Sequence, residues 1–136
     1  MTSLVLDAGA LIALDRNDRD TWALLRIASD DGHLVEVPAG AIAQAWRNGP
    51  RQVLLVRALR HCDEIPLDGS LARAVGLLCG ESRTGDIVDA SVALVAAGRA
   101  RHGGVSIVTS DRKDIGHLID VLGISVRIVD CYAHID

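Results

Sequence analysis

Five aspartates in three separate segments of the chain have the chemistry of a metal centre. These aspartates are Asp7, Asp86, Asp89, Asp111 and Asp114. Carboxylate oxygens are hard ligands that suit Mg²⁺ or Mn²⁺ rather than zinc. An ion held in this way can activate water and offset the charge of a phosphodiester under attack. Because like charges disfavour ionisation, we also expect raised carboxylate pKa values when no metal is bound.

Each aspartate also has a structural interpretation, because aspartate is a frequent helix N-cap. Asp7 and Asp111 each follow a predicted strand, where a cap for the next helix is also expected. Asp86 is favoured as the cap of the most apolar helix, and Asp114 as the partner of Asp111 in a box-like pair. Asp89 fits this interpretation least well, because the rest of its helix is apolar and is expected to be buried.

Short β-branched runs alternate with helical stretches along the chain. The pattern predicts strands over residues 3–6, 34–37, 63–67, 105–109 and 125–129. It predicts helices over residues 8–14, 18–28, 38–46, 52–59, 71–78, 86–98 and 113–122, with a loop at 80–85. We expect Ile42, Ala45 and Trp46 to face inward from the third helix.

These elements predict one α/β domain spanning residues 1–136, a three-layer α/β/α sandwich around a mainly parallel sheet. In such sheets, binding sites form at the carboxyl ends of the strands. Asp7 and Asp111 both come just after a predicted strand. The architecture therefore places two of the carboxylates at the edge where a site is expected.

The composition argues against several classes of protein. A net charge of −4 argues against a protein that coats nucleic acid without specificity. The chain has no Phe, one Tyr and two Trp, which argues against a platform of stacked aromatic rings. Its three separated cysteines predict neither a disulfide framework nor a zinc site. We expect no signal peptide and no membrane span, and hence a cytoplasmic protein.

Three segments of the sequence resemble the PIN-domain family, in particular the VapC-type toxins of bacterial toxin–antitoxin pairs. They are LVLDAGALIAL at 4–14, DIVDASVA at 86–93 and VTSDRKD at 108–114. Each segment is a weak signal alone, but in their order and spacing they match essentially the whole chain. The resemblance implies a PIN-like fold and a Mg²⁺- or Mn²⁺-dependent endoribonuclease. It also implies a homodimer that acts on RNA and is inhibited by a small cognate antitoxin.

The resemblance further implies roles for individual residues. The catalytic and metal-binding acids would be Asp7, Asp89 and Asp111. The auxiliary residues would be Asp86, Asp114, Thr109 and Ser110, the last two through hydrogen bonds that order the site.

One position departs from the family pattern. The family usually has a glutamate on the helix after the second strand, and the matching position here is Gln44. A glutamine carbonyl can ligate a hard cation but brings no negative charge, so we expect weaker metal binding or the loss of one of two ions. RNA contact beside an acidic site also needs cations. Arg47 and Arg51, in the densest basic run, are candidates for phosphate contact.

Two alternatives to a metal-dependent ribonuclease remain open. Gln44 motivates the first, a PIN fold with weakened catalysis that acts as a protein- or RNA-binding module. The second is a nucleotide-binding or phosphatase-like α/β domain. It is disfavoured because no glycine-rich phosphate-binding motif is present. Moreover, Gly9 stands where a phosphatase of the D-x-D type needs its second aspartate.

Overall fold

A five-stranded, all-parallel sheet forms the centre of the molecule, in the order β3-β2-β1-β4-β5. The structure is a computed structural model and describes residues 2–132. The strands are β1 (Ser3–Leu6), β2 (Leu34–Pro38), β3 (Asp63–Ile65), β4 (Val105–Thr109) and β5 (Arg127–Asp130).

Seven helices connect and cover these strands within the described residues. They are α1 (Ala8–Asp15), α2 (Arg19–Asp30), α3 (Ala39–Ala45), α4 (Val53–Leu59), α5 (Gly69–Ser82), α6 (Ile87–Ala100) and α7 (Arg112–Leu122). A short 3-10 turn, Gly49–Arg51, precedes α4. Five of the helices, α1, α2, α5, α6 and α7, begin at an aspartate whose side chain accepts a backbone N–H. Such caps satisfy amides that a helix leaves unpaired at its start.

The sheet buries both of its faces, because side chains alternate along each strand. On β1, Leu4 and Leu6 point into a core formed with α1 to α4, whereas Val5 points into a core formed with α5 to α7. The predicted three-layer α/β/α sandwich is therefore confirmed. Within residues 2–132, no helix has the length and apolar character needed to cross a membrane.

The strand order reverses between β1 and β4, which are neighbours in the sheet although most of the chain separates them. Leu6 pairs with Val108 in register, and the amide of Asp7 donates to the carbonyl of Val108 at 3.2 Å. In open parallel sheets, ligand sites form at this kind of switch point, beyond the carboxyl ends of the strands. The segments that follow β1 and β4 therefore meet where a site is expected.

Several predicted boundaries were wrong. Helix α5 continues to Ser82 through the first half of the predicted loop at 80–85, because Gly80 costs a helix interior only about 1 kcal/mol and surrounding residues keep the helical pattern. The third strand is shorter than predicted, and the last strand begins at Arg127 instead of residue 125.

Trp46 was predicted to face inward and does not. Helix α3 ends at Ala45, and Trp46 has extended backbone angles, so it leaves the helical face that carries Ala45. Its side chain is 40% exposed and packs beside Gly49. The break after α3 thus puts a large aromatic ring at the surface.

Candidate active site

Asp7 is the most buried of the five aspartates, with 4% of its surface exposed. It leaves β1 in an extended conformation and caps α1, accepting the Ala10 amide at 2.8 Å. Burial raises the pKa of Asp7. Hydrogen bonds from the Thr109 hydroxyl and from backbone amides oppose that rise in pKa, and the charge of Asp111 adds to it. Asp7 is therefore both a helix cap and a carboxylate whose ionised form is disfavoured at the strand edge.

The first turn of α6 supplies the next two aspartates. Asp86 is the N-cap, and its carboxylate accepts the Asp89 amide at 2.9 Å, as the sequence predicted. Asp89 is half-buried, and burial is the largest cause that raises its pKa, to about 7. The charges of Asp86, Asp111 and Asp7 raise this pKa further. Asp89 consequently shares an electrostatic environment with all three chain segments.

Asp111 and Asp114 begin α7, directly after β4. Asp111 is the N-cap, and its carboxylate faces the Asp114 amide at the long distance of 3.5 Å. Burial is the largest cause that raises the pKa of Asp111, followed by the hydrogen bond with Asp114. The expectation of raised carboxylate pKa values is met for Asp7, Asp89 and Asp111, with burial as the main cause in each.

Three of these carboxylates form a group suited to one cation. One oxygen from each of Asp89, Asp111 and Asp114 lies within 4.8 Å of the others. Two oxygens on opposite sides of a Mg²⁺ ion are about 4.2 Å apart, twice the usual Mg–O distance of about 2.1 Å. The donor set is all oxygen and includes neither His nor Cys, so it fits Mg²⁺ or Mn²⁺ in chemistry and nearly in spacing.

This group differs from the predicted set of metal ligands in one member. Asp114, expected to be auxiliary, stands in the compact group with Asp89 and Asp111. Asp7 borders the group and interacts with it electrostatically, since it raises the pKa of Asp89 and its own pKa is raised by Asp111. The site is thus a cluster of three carboxylates with a fourth, more buried one beside it.

Thr109 and Ser110 link the two segments that follow β1 and β4. The Thr109 hydroxyl oxygen accepts the Asp111 amide at 2.9 Å, and its proton is donated to Asp7. The Ser110 amide also donates to Asp7. Both residues were predicted to order the site by hydrogen bonding, and that role stays a prediction.

Gly9 is a residue of the site that the sequence analysis had used only to exclude a phosphatase motif. A Cβ atom built on Gly9 would lie 2.0 Å from the Ser110 hydroxyl oxygen and 2.6 Å from its Cβ. Only glycine therefore allows the first turn of α1 to approach the turn after β4 so closely. Its position two residues after Asp7 was the available signal, but a sequence does not reveal which backbone segments touch.

Gln44 lies exposed on α3. It is one turn after Gly40, which packs so closely against α6 that a Cβ added there would lie 3.1 Å from the side chain of Val88. Residues four apart share a helix face, so Gln44 is on the side of α3 that adjoins the first turn of α6. No hydrogen bond holds its amide among residues 2–132, which leaves its carbonyl oxygen available as a ligand.

Of the two arginines predicted to contact RNA, Arg47 has other side-chain contacts in this structure. The guanidinium of Arg47 donates to the carbonyls of Ala43 and Trp46, at 3.0 and 2.8 Å. Arg51 is exposed in the 3-10 turn. Within residues 2–132, neither arginine forms an ion pair with the aspartates. The structure does not bring them into the acidic cluster.

The fold and the site define an α/β protein with an all-parallel sheet and a carboxylate cluster at its switch point. A chain of VapBC2 from Rickettsia felis, in a crystal structure with a DNA fragment from their promoter, has the same fold. The two chains match with a TM-score of 0.65 and 12% sequence identity, over 96% of this chain and 99% of that chain. No protein-family model and no curated protein matches the sequence. The predicted resemblance to a VapC-type PIN-domain chain is thus confirmed at the level of the fold.

Proposed function

We propose that this protein is a Mg²⁺- or Mn²⁺-dependent endoribonuclease that acts in the cytoplasm as the toxin of a toxin–antitoxin pair. One observation carries the proposal. Three carboxylates close enough for one cation, with Asp7 beside them, lie at the switch point of a sheet whose fold matches a VapBC2 chain. A divalent ion at this cluster supplies an activated water and offsets the charge of the scissile phosphate.

Individual residues of the chain have separate proposed roles in binding the ion and ordering the site. Asp89, Asp111 and Asp114 would hold the ion, and Asp7 would add negative charge beside it. Thr109 fixes Asp7 relative to Asp111 through its two hydrogen bonds. Asp86 fixes the start of α6, from which Asp89 projects. Arg47 and Arg51 remain candidates for more distant phosphates of the RNA.

Cleavage of a single-stranded RNA with and without Mn²⁺ tests the enzymatic part. We expect Mn²⁺-dependent cleavage by wild type and its loss in Asp7→Asn and Asp89→Asn, with circular dichroism spectra unchanged. Gln44→Glu, which restores the charge expected from the family pattern, should bind Mn²⁺ more tightly and cleave faster. Full activity in both asparagine variants would exclude this site. Mn²⁺ binding without any cleavage by wild type or Gln44→Glu would favour a binding module instead.

An apolar groove offers a surface for the antitoxin. Ile42, Trp46 and Val56 line a cavity of about 630 Å³ between α3 and α4, together with the charged residues Arg60 and Glu64. An adjoining cavity includes Val53, which is 57% exposed. Apolar patches rimmed by charge are typical of protein interaction sites. A small antitoxin with an apolar, acidic segment fits this surface. We also propose that the protein is a homodimer.

Val53→Asp tests the partner without threatening the fold. Val53 is the first residue of α4, where an aspartate favours the helix dipole. If a neighbouring gene encodes a small candidate antitoxin, wild type co-expressed with that protein should co-elute with it and Val53→Asp should not. Co-elution of both would place the antitoxin elsewhere on the surface.

A further inference from the structure

A small cleft opens next to the acidic cluster, between the end of α5 and helix α7. Two of its walls are Asp89 and Asp114, which belong to the carboxylate group described above. Arg83, Thr84 and His117 also line the cleft. The cleft volume is about 240 Å³, below the range of about 300 to 1,000 Å³ for pockets that hold drug-sized molecules. It has room for a short polar unit rather than for a whole organic ligand.

Arg83 gives this cleft a cation that the chain does not neutralise. It is exposed, and within residues 2–132 it forms no ion pair with Asp89, Asp114 or any other acid. Arg83 ends α5 with φ of 59°, a left-handed conformation that glycine adopts without cost and other residues do not. An arginine at this position places a guanidinium at the cleft at some expense in local stability.

The other two residues offer neutral hydrogen-bonding groups. The Nε2 atom of His117 lies 3.0 Å from the Ser82 carbonyl oxygen. Because a carbonyl can only accept, Nε2 carries the hydrogen, and Nδ1 of the neutral ring is an acceptor. The Thr84 hydroxyl oxygen accepts the Asp86 amide at 3.2 Å, which leaves its proton free to be donated. The cleft therefore combines one cation, one acceptor and one hydroxyl donor.

We propose that the cleft lined by Arg83, Thr84 and His117 binds the phosphate and ribose of the RNA nucleotide adjacent to the scissile phosphate. Arg83 contacts the flanking phosphate through charge-assisted hydrogen bonds, and His117 accepts from a ribose hydroxyl. A divalent ion held by Asp89 and Asp114 would offset their negative charge, so that Arg83 could attract a phosphate into the cleft. The inference rests on the proposed function and assigns the substrate a position that Arg47 and Arg51 do not provide.

The sharpest variant is Arg83→Gly. Glycine is the preferred residue at a left-handed helix end, so the change removes the cation while keeping or improving stability. Arg83→Lys retains a point charge without the planar fork of donors. Arg101→Ala, at the end of α6, is the matched control because Arg101 is also an exposed arginine at a helix C-terminus.

The experiment measures the affinity of each variant for a short single-stranded RNA at several salt concentrations. Ca²⁺ replaces Mn²⁺ as an oxygen-ligated ion, and a gel checks that the RNA stays intact. We expect Arg83→Gly to weaken RNA binding about tenfold or more. The slope of log K against log salt should become shallower by about 0.7, the value for one lost phosphate contact on a single strand. Arg83→Lys should fall between wild type and glycine, and Arg101→Ala should match wild type.

Mn²⁺-dependent cleavage, measured on the same preparations, separates this proposal from the proposed function. If wild type cleaves RNA but Arg83→Gly leaves affinity, salt slope and KM unchanged, the cleft assignment is overturned and the ribonuclease stands. If wild type binds RNA through Arg83 but cleaves none, the cleft stands and the ribonuclease assignment fails. Absence of RNA binding by wild type would overturn the cleft assignment directly.

Discussion

The hydroxyl oxygen of Thr109 lies 2.9 Å from the backbone nitrogen of Asp111, and its proton is donated to Asp7. One fully buried side chain therefore connects the carboxylates that follow β1 and β4. Because Thr109 ends β4, its hydroxyl both stabilises the turn that leads to Asp111 and contacts a carboxylate of the site.

Replacing this hydroxyl should lower the stability of the protein and disorder the carboxylates of the site. Thr109→Val keeps the shape but leaves the Asp111 amide without its acceptor and removes one of the donors to the Asp7 carboxylate, so the free energy of unfolding should fall by about 1–3 kcal/mol. Mn²⁺ affinity should fall as well. Urea denaturation and calorimetry measure the two effects. Thr109→Ser retains the hydroxyl and should stay close to wild type, whereas equal losses in both variants would point to packing alone.

The close approach of Gly9 and Ser110 predicts a steric defect that a second change relieves. Gly9→Ala places a Cβ within 2.6 Å of both Ser110 side-chain atoms, and overpacking of this kind costs about 1–3 kcal/mol. Ser110→Gly removes those atoms. In a double-mutant cycle by chemical denaturation, the Gly9→Ala penalty should be smaller in the Ser110→Gly background. An equal penalty in both backgrounds would mean that the backbone, not the side chain, sets the limit.

The raised pKa of Asp89 predicts how the metal-free protein responds to pH. The fold raises this pKa from the ordinary aspartate value of 3.8 to about 7, so between these values the native state binds more protons than the unfolded state. Stability should therefore fall as pH rises from about 4 to about 7, and the raised pKa values of Asp7 and Asp111 act in the same direction. Thermal unfolding in EDTA across this range measures the trend.

Metal should reverse this trend, because binding requires ionised carboxylates. Mn²⁺ should raise the melting temperature more at pH 8 than at pH 5.5. Asp89→Asn removes the titrating group, so its metal-free stability should vary less with pH than that of wild type. A wild-type melting temperature that rises between pH 5 and 7 in EDTA would contradict the predicted electrostatics.

An ion pair between a buried glutamate and a partly exposed arginine, away from the site, predicts a large effect of one arginine. Glu36 on β2 is 2% exposed and is held by the guanidinium of Arg99 on α6, with Nη2 2.9 Å from Oε2. Arg99→Met leaves this carboxylate buried and unpaired, which should lower the free energy of unfolding by about 3 kcal/mol.

The double variant Glu36→Leu with Arg99→Met should recover most of that loss, because it removes both charges. Arg101→Met is the control, since Arg101 is exposed and forms no ion pair within residues 2–132. Denaturation midpoints at pH 7 compare the four proteins. If Arg99→Met leaves the denaturation midpoint unchanged, water already solvates Glu36.

Local patterns were sufficient for most of the fold. The apolar runs and aspartate caps predicted the strands, the order of the helices and the parallel sheet, because hydrophobic periodicity and capping act over a few residues. The same approach was wrong at Trp46 and at residues 80–82. There, the way the chain leaves α3 and the continuation of α5 depend on packing against other elements.

The sequence by itself determined the carboxylates, their three segments and the edge of the sheet at which they meet, because parallel strands bring their carboxyl ends together. Only the tertiary structure decided that Asp114 joins Asp89 and Asp111 while Asp7 lies beside them. It also decided that Thr109 connects two of the segments and that the absence of a side chain at Gly9 lets Ser110 pack closely against it. Ångström-scale distances between side chains depend on register and packing across the whole domain, which no local pattern encodes. The cluster of aspartates is therefore a property of the sequence, and its geometry is a property of the fold.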